Sequence, residues 1–218
     1  MPGEINTMIR KELTLEWRQK FAFNGVLLYL VSTVFVCYLS FSGIIDVPTW
    51  NSLFWVIMLF AAINASLKSF IQERDGRLLY YYTLLKPQAV INAKIVYNAL
   101  LMTTLSLTGL FVYIAFLGNP VQNPVLFIFN LVLGVIGFSS VLSMVSAIAS
   151  KARNNFTLMA VLSFPLVLPL LLVLIRVSAA AIDGAALREQ APNLLVVLLL
   201  IAITMVLSNI LFPYIWKE

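Results

Sequence analysis

Six stretches of the chain, residues 23–42, 50–70, 97–117, 125–149, 157–177 and 193–213, are almost continuously apolar. Each matches the length of roughly 20 residues that an α-helix needs to cross about 30 Å of hydrocarbon. None shows the alternation of a membrane β-barrel strand, so the pattern predicts an all-α membrane protein with six transmembrane helices. Pro165 and Pro169 interrupt the fifth stretch and predict a broken or re-entrant element there.

Two polar segments stand apart from this pattern. Residues 1–22 arrange Arg10, Lys11, Glu12, Glu16, Arg18 and Lys20 around Ile5, Met8, Ile9, Leu13 and Trp17. Such a helix is too polar to span a bilayer, and it predicts an interfacial helix ahead of a transmembrane domain of residues 23–218. Glu12 and Glu16 stack one turn apart on the face that carries Ile5, Met8 and Ile9, so the two carboxylates need a partner. Lys20 stands four residues after Glu16, the favourable order for a helical ion pair, and a functional contact is the other candidate. The long acidic lead and the full-length span behind it do not fit a cleavable signal peptide.

The second segment, residues 71–94, is the long polar interruption of the chain. It carries Glu73, Arg74, Asp75, Arg77, Lys86 and Lys94, yet Leu78, Leu79, Leu84 and Leu85 make it too apolar for a solvated linker. Gly76 lets a helix end or bend, and Pro87 suits the first turn of a new helix, where its missing N–H would be unpaired anyway. Two short helices forming a docking element therefore fit between Gln72 and Lys94. The plainer alternative is a connector whose leucines rest on lipid headgroups.

Composition agrees with the pattern. Of 218 residues 61% are hydrophobic and 11% charged, and a mean hydropathy of +0.98 leaves more apolar surface than a water-soluble core of this size can hide. The net charge of +5 does not point to nucleic acid, because the basic residues flank the spans and do not form one aromatic-laced patch. Twelve of them lie in the amino-terminal segment, between Lys68 and Lys94, at Lys151 and Arg153, and at Lys217; the turns on the other side hold Arg176 and Arg188. Flanking Lys and Arg stay on the cytoplasmic side, so both termini and the 71–94 loop are predicted to be cytoplasmic, with Trp17, Trp50 and Trp216 in the interfacial belt.

Catalytic chemistry is sparsely provided for. The chain has no histidine, one cysteine, Cys37, inside the first span, and no phosphate-binding loop or dinucleotide fingerprint. No Asp, Glu, Lys or Arg sits centrally in a span, which speaks against an ion-coupled transporter. Ser139, Ser143, Ser146 and Ser150, with Gly134, Gly137 and Ala147, give the fourth span a small-residue face suited to close helix packing. Asn64 and Asn130 are the conspicuous intramembrane amides, read as hydrogen-bonding between helices. A six-span core, a surface helix and one leucine-rich loop fit a permease driven by a separate motor subunit. Without histidine or an accessible cysteine, stable haem ligation by this chain would fall to Tyr or Met, so no cofactor is expected on it.

The residues KELTLEWRQK before the first span, DGRLLYYYTLLKPQAVINAK after the second and SFPLVLPLLL in the fifth resemble the CcmB family, the membrane subunit of the cytochrome c maturation ABC transporter. The likeness runs over nearly the whole chain and is most specific at Asp75, Gly76, Leu78, Leu84, Leu85, Pro87, Ala93 and Lys94, with Pro165 and Pro169 matching in the fifth span. Tyr80, Tyr81 and Tyr82 depart from the family pattern beside the Asp-Gly pair. The resemblance implies an ABC-2-like permease of the bacterial inner membrane, a CcmA-type ATPase dimer that holds the ATP, and haem-handling CcmC-type and CcmE-type partners. It also implies either two permease copies or a permease paired with CcmC. Coupling to the ATPase would fall to Asp75, Gly76, Leu78, Leu79, Leu84, Leu85 and Pro87. Three readings of the cargo fit these residues: export of haem or another small molecule, release of a haem-loaded chaperone, or a passive scaffold anchoring the ATPase. A path would draw on Asn64, Tyr113, Ser139, Ser143, Pro165 and Pro169.

Overall fold

The computed structural model describes residues 2–19, 21–41, 45–71, 87–149 and 155–217. Seven helices lie among them: α1 (Pro2–Gln19), α2 (Phe21–Phe41), α3 (Val47–Ile71), α4 (Pro87–Leu117), α5 (Pro124–Ala149), α6 (Asn155–Ile182) and α7 (Ala191–Lys217). There is no strand among the described residues. All but α1 are long and apolar enough to cross a membrane.

Local chemistry sets several of the boundaries. The Asp46 carboxylate accepts the Thr49 N–H at 3.3 Å while its carbonyl accepts the Trp50 N–H at 2.9 Å, an N-cap for α3. The side-chain and backbone hydrogen bonds from Thr49 hold the Asp46 carboxyl below the ordinary aspartate value. Asn123 caps α5 in the same way, its Oδ1 accepting the Leu126 N–H at 3.2 Å with Pro124 in the first helical position. Gly118, at φ 80°, ends α4 in the left-handed conformation that glycine adopts without a Cβ clash.

The six spans run up and down. At one end the turn after α4 meets the turn after α6, where the Asn123 Nδ2 donates to the Ala185 carbonyl at 2.9 Å. At the other end α1 lies across the start of α4, and a small core joins Met8 of α1, Val90 and Ile91 of α4, Ala147 of α5 and Phe212 of α7. The first and last described helices therefore meet at the same end of the bundle. The larger core fills the rest, and α5 sits at its centre against α3, α4, α6 and α7. α2 and α7 are the least enclosed spans.

Two features depart from the sequence reading. The third span does not begin at residue 97: α4 starts at Pro87 and continues unbroken, so residues 87–94 belong to a 31-residue helix. Its first turns are polar in sequence but are covered by α1 and α7, and Ala89, Ile91, Ala93 and Lys94 are all buried. The fifth span is not broken either, since α6 runs through Pro165 and Pro169 as one helix. The two prolines are four residues apart on its exposed outer face, where local adjustment can satisfy the carbonyls they leave free.

Candidate functional site: the junction of α1 with α4

At one end of the bundle α1 brings two acidic side chains against the spans. α1 turns Met8 and Glu12 inward, at 3% and 8% exposure, and Lys11 pairs with Glu12 at 2.9 Å. Glu16 reaches furthest across. Its Oε1 accepts the Phe23 N–H at 2.7 Å, and its Oε2 accepts the Tyr97 hydroxyl at 3.2 Å. A carboxylate at a helix amino terminus meets unpaired N–H groups and the positive end of the helix dipole, so one side chain from α1 caps α2 and ties both to α4. Lys20, the sequence candidate for pairing with Glu16, lies outside the described residues.

One turn before Tyr97 on the same helix, Lys94 is buried at 1% exposure. Asn92 and Asn209 exchange amide hydrogen bonds at 2.9 and 3.1 Å and so lock α4 to α7. Residues 72–86 connect α3 to Pro87 and so attach at this same end. The coupling candidates Asp75, Gly76, Leu78, Leu79, Leu84 and Leu85 all lie outside the described residues; Pro87 is the first residue of α4. Glu16 and Asn209 hold the base of α4 against three other helices.

The residues grouped as a translocation path are dispersed in the single chain. Tyr113 is buried at the opposite end, donating to the Trp50 carbonyl at 2.9 Å with its ring centroid 4.9 Å from that of Trp50. Asn64 stands 14 residues beyond Trp50 on α3, roughly 21 Å away along the helix axis, and donates to the Phe60 carbonyl of its own helix at 2.9 Å. Ser139 and Ser143 are buried on α5, where Ser143 accepts from Asn98 of α4 at 2.8 Å. Pro165 and Pro169 face outward. Of the two amides read as interhelical, Asn130 is one, donating to the Leu174 carbonyl of α6 at 2.9 Å.

Sequence reasoning missed Tyr97, Asn92 and Asn209, and a buried network in which the Trp55 indole N–H donates to Ser178 Oγ at 2.7 Å and Ser178 donates to Asn51 Oδ1 at 2.7 Å. The available signal was weak: each is a single polar side chain among apolar neighbours, and its partner is more than a hundred residues away for every pair except Tyr97 with Glu16. Around this network Trp50, Phe54, Trp55, Tyr113 and Phe127 pack ring against ring. That end is an aromatic cluster enclosing a buried polar network. Beside it a cleft of about 240 Å³ opens between Ile45, Val47, Trp50, Leu117 and Gly118.

These features define a multi-pass, all-α membrane protein of the permease type, with a surface helix bound to the base of its spans. A comparison with protein families matches residues 4–215 to the CcmB protein family, and the chain belongs to it. Membership makes it an ABC-transporter permease of cytochrome c maturation. Neither the curated proteins nor the solved structures compared with the chain gave a match.

Proposed function

We propose that the chain couples ATP hydrolysis by a separate CcmA-type ATPase dimer to haem export or to release of a haem-loaded CcmE-type chaperone, in the bacterial inner membrane with both termini cytoplasmic. The observation that carries this reading is family membership over residues 4–215. The junction supports it physically, because residues 72–86 enter the bundle at the base of α4, where Glu16 ties α4 to α1 and α2. The leucines of that loop fill a groove on the motor, and buried anchors of this kind dominate an interface. Under either alternative the chain itself holds no haem: the purified subunit is expected to show no stoichiometric haem spectrum. A spectrum that changed on replacing one tyrosine or methionine would refute that.

Leu84→Ala combined with Leu85→Ala tests the coupling. Each truncation is expected to cost about 1 to 3 kcal/mol of docking, so the variant permease should insert with normal thermal stability yet fail to co-purify with the ATPase or to support cytochrome c maturation. Normal co-purification and maturation would show that the leucines only rest on lipid. An ATPase assay of the assembly in nanodiscs, with and without haem-loaded chaperone, separates the energy-coupled reading from a passive scaffold, which predicts no stimulation.

A further inference from the structure

α1 buries one side, and nothing among the described residues covers the other. With Met8 and Glu12 turned against the bundle, the opposite side presents Arg10, Thr14 and Arg18, spaced four residues apart and all exposed. The Thr14 hydroxyl is turned back to the Arg10 carbonyl at 2.7 Å, so the outward character of the stripe is that of its two guanidinium groups. Neither arginine has an acidic residue three or four positions away, and no carboxylate pairs with either among the described residues. Lys11, by contrast, is neutralised by Glu12.

The height of this stripe is fixed. One residue separates α1 from α2, Glu16 holds the α2 amino terminus at Phe23, and the apolar span begins at that same residue. α1 therefore lies where hydrocarbon gives way to headgroups. Leu13, beside Arg10 on the helix surface, is 42% exposed, an apolar side chain turned out at that level. We propose that the Arg10–Arg18 face of α1 is a binding surface for anionic phospholipid headgroups, with the arginines on the phosphates and Leu13 dipping below them. Planar guanidinium groups match phosphate geometry, and a single unpaired row of them attracts a negative surface more than a zwitterionic one. The inference goes beyond the transport reading and stands whatever the cargo is.

The test uses the full chain carrying Cys37→Ser and a spin label at Leu13→Cys, reconstituted in nanodiscs of phosphatidylcholine alone or with phosphatidylglycerol added. Depth is read from the relative accessibility of the label to oxygen and to a water-soluble nickel complex. The label is expected to sit deeper in the presence of phosphatidylglycerol, and Arg10→Gln with Arg18→Gln is expected to abolish most of that difference in depth. Thermal stability of the variant in phosphatidylcholine should match the parent, since neither side chain is packed. Equal depth in both lipids, or a phosphatidylglycerol response unchanged by the double substitution, would overturn the proposal. So would a label buried only when the ATPase partner is added, because the face would then be a protein dock.

Discussion

Glu16 illustrates how much one side chain carries at the junction. Its two oxygens accept from Phe23 N–H and Tyr97 O–H, and hydrogen bonds to a charged group contribute about 1.5 to 3 kcal/mol each when well formed. Glu16 is only half-buried and its bond to Tyr97 is long, so Glu16→Ala is expected to destabilise the attachment of α1 by about 1 to 3 kcal/mol, below the sum of two well-formed bonds. Hydrogen exchange should show faster exchange at the Phe23 amide and along α1, with the Trp50 and Trp55 region unchanged. Uniform protection in the variant would show that Met8 and its apolar neighbours hold α1 without the carboxylate. The acidic pair was visible in the sequence as a feature needing a partner, but the partner was not. Tyr97 is 81 residues from Glu16, and helical periodicity carries no information over that distance.

At the scale of the helix, α5 shows why small residues sit at the centre of a membrane bundle. Lipid tails are as apolar as leucine, so helices associate through close packing and interhelical hydrogen bonds and gain little from hydrophobic burial. A Cβ on Gly134 would come within 2.8 Å of the Trp55 ring and 2.9 Å of Leu174 Cδ1. Trp55 cannot easily withdraw, because its indole N–H is held by Ser178. Gly134→Ala is expected to cost about 1 to 3 kcal/mol, the usual range for overpacking a filled core, read as a lower thermal midpoint in detergent. Ser140→Ala, which removes a hydrogen bond to its own helix, should leave the midpoint nearly unchanged. Equal midpoints for Gly134→Ala and the parent would mean that α3 and α6 can move aside. The small-residue face was legible in the sequence as a packing surface; the helices that fill it were not.

For the whole molecule, an even number of spans brings α1 and the end of α7 to one side, where Met8 and Phe212 share a core. The proposal that this side is cytoplasmic rests on the distribution of Lys and Arg. With Cys37→Ser as background, a cysteine at Gln122, exposed in the turn after α4, is expected to react with an impermeant reagent added outside intact cells. One at Asn6, exposed on α1, should react only after lysis. The reverse result would invert the orientation and with it the placing of an ATPase beneath residues 72–86.

Span number, the helical class, the polar surface helix and the proline at the start of α4 were all determined by the sequence alone. Each depends on neighbours within a few turns, where 3.6-residue periodicity, capping chemistry and hydrophobic length act directly. The same local reasoning began the third span only at residue 97, because Asn92 and Lys94 look like surface residues when no partner is in view. Only the tertiary structure supplies Asn209 and the cover of α1, which let α4 extend to Pro87. It also decided that Pro165 and Pro169 stand on an exposed face of a continuous helix, and that Tyr113, Asn64 and the α5 serines occupy separate places. Those outcomes depend on which helix packs beside which, a choice among long-range contacts that no stretch of sequence contains.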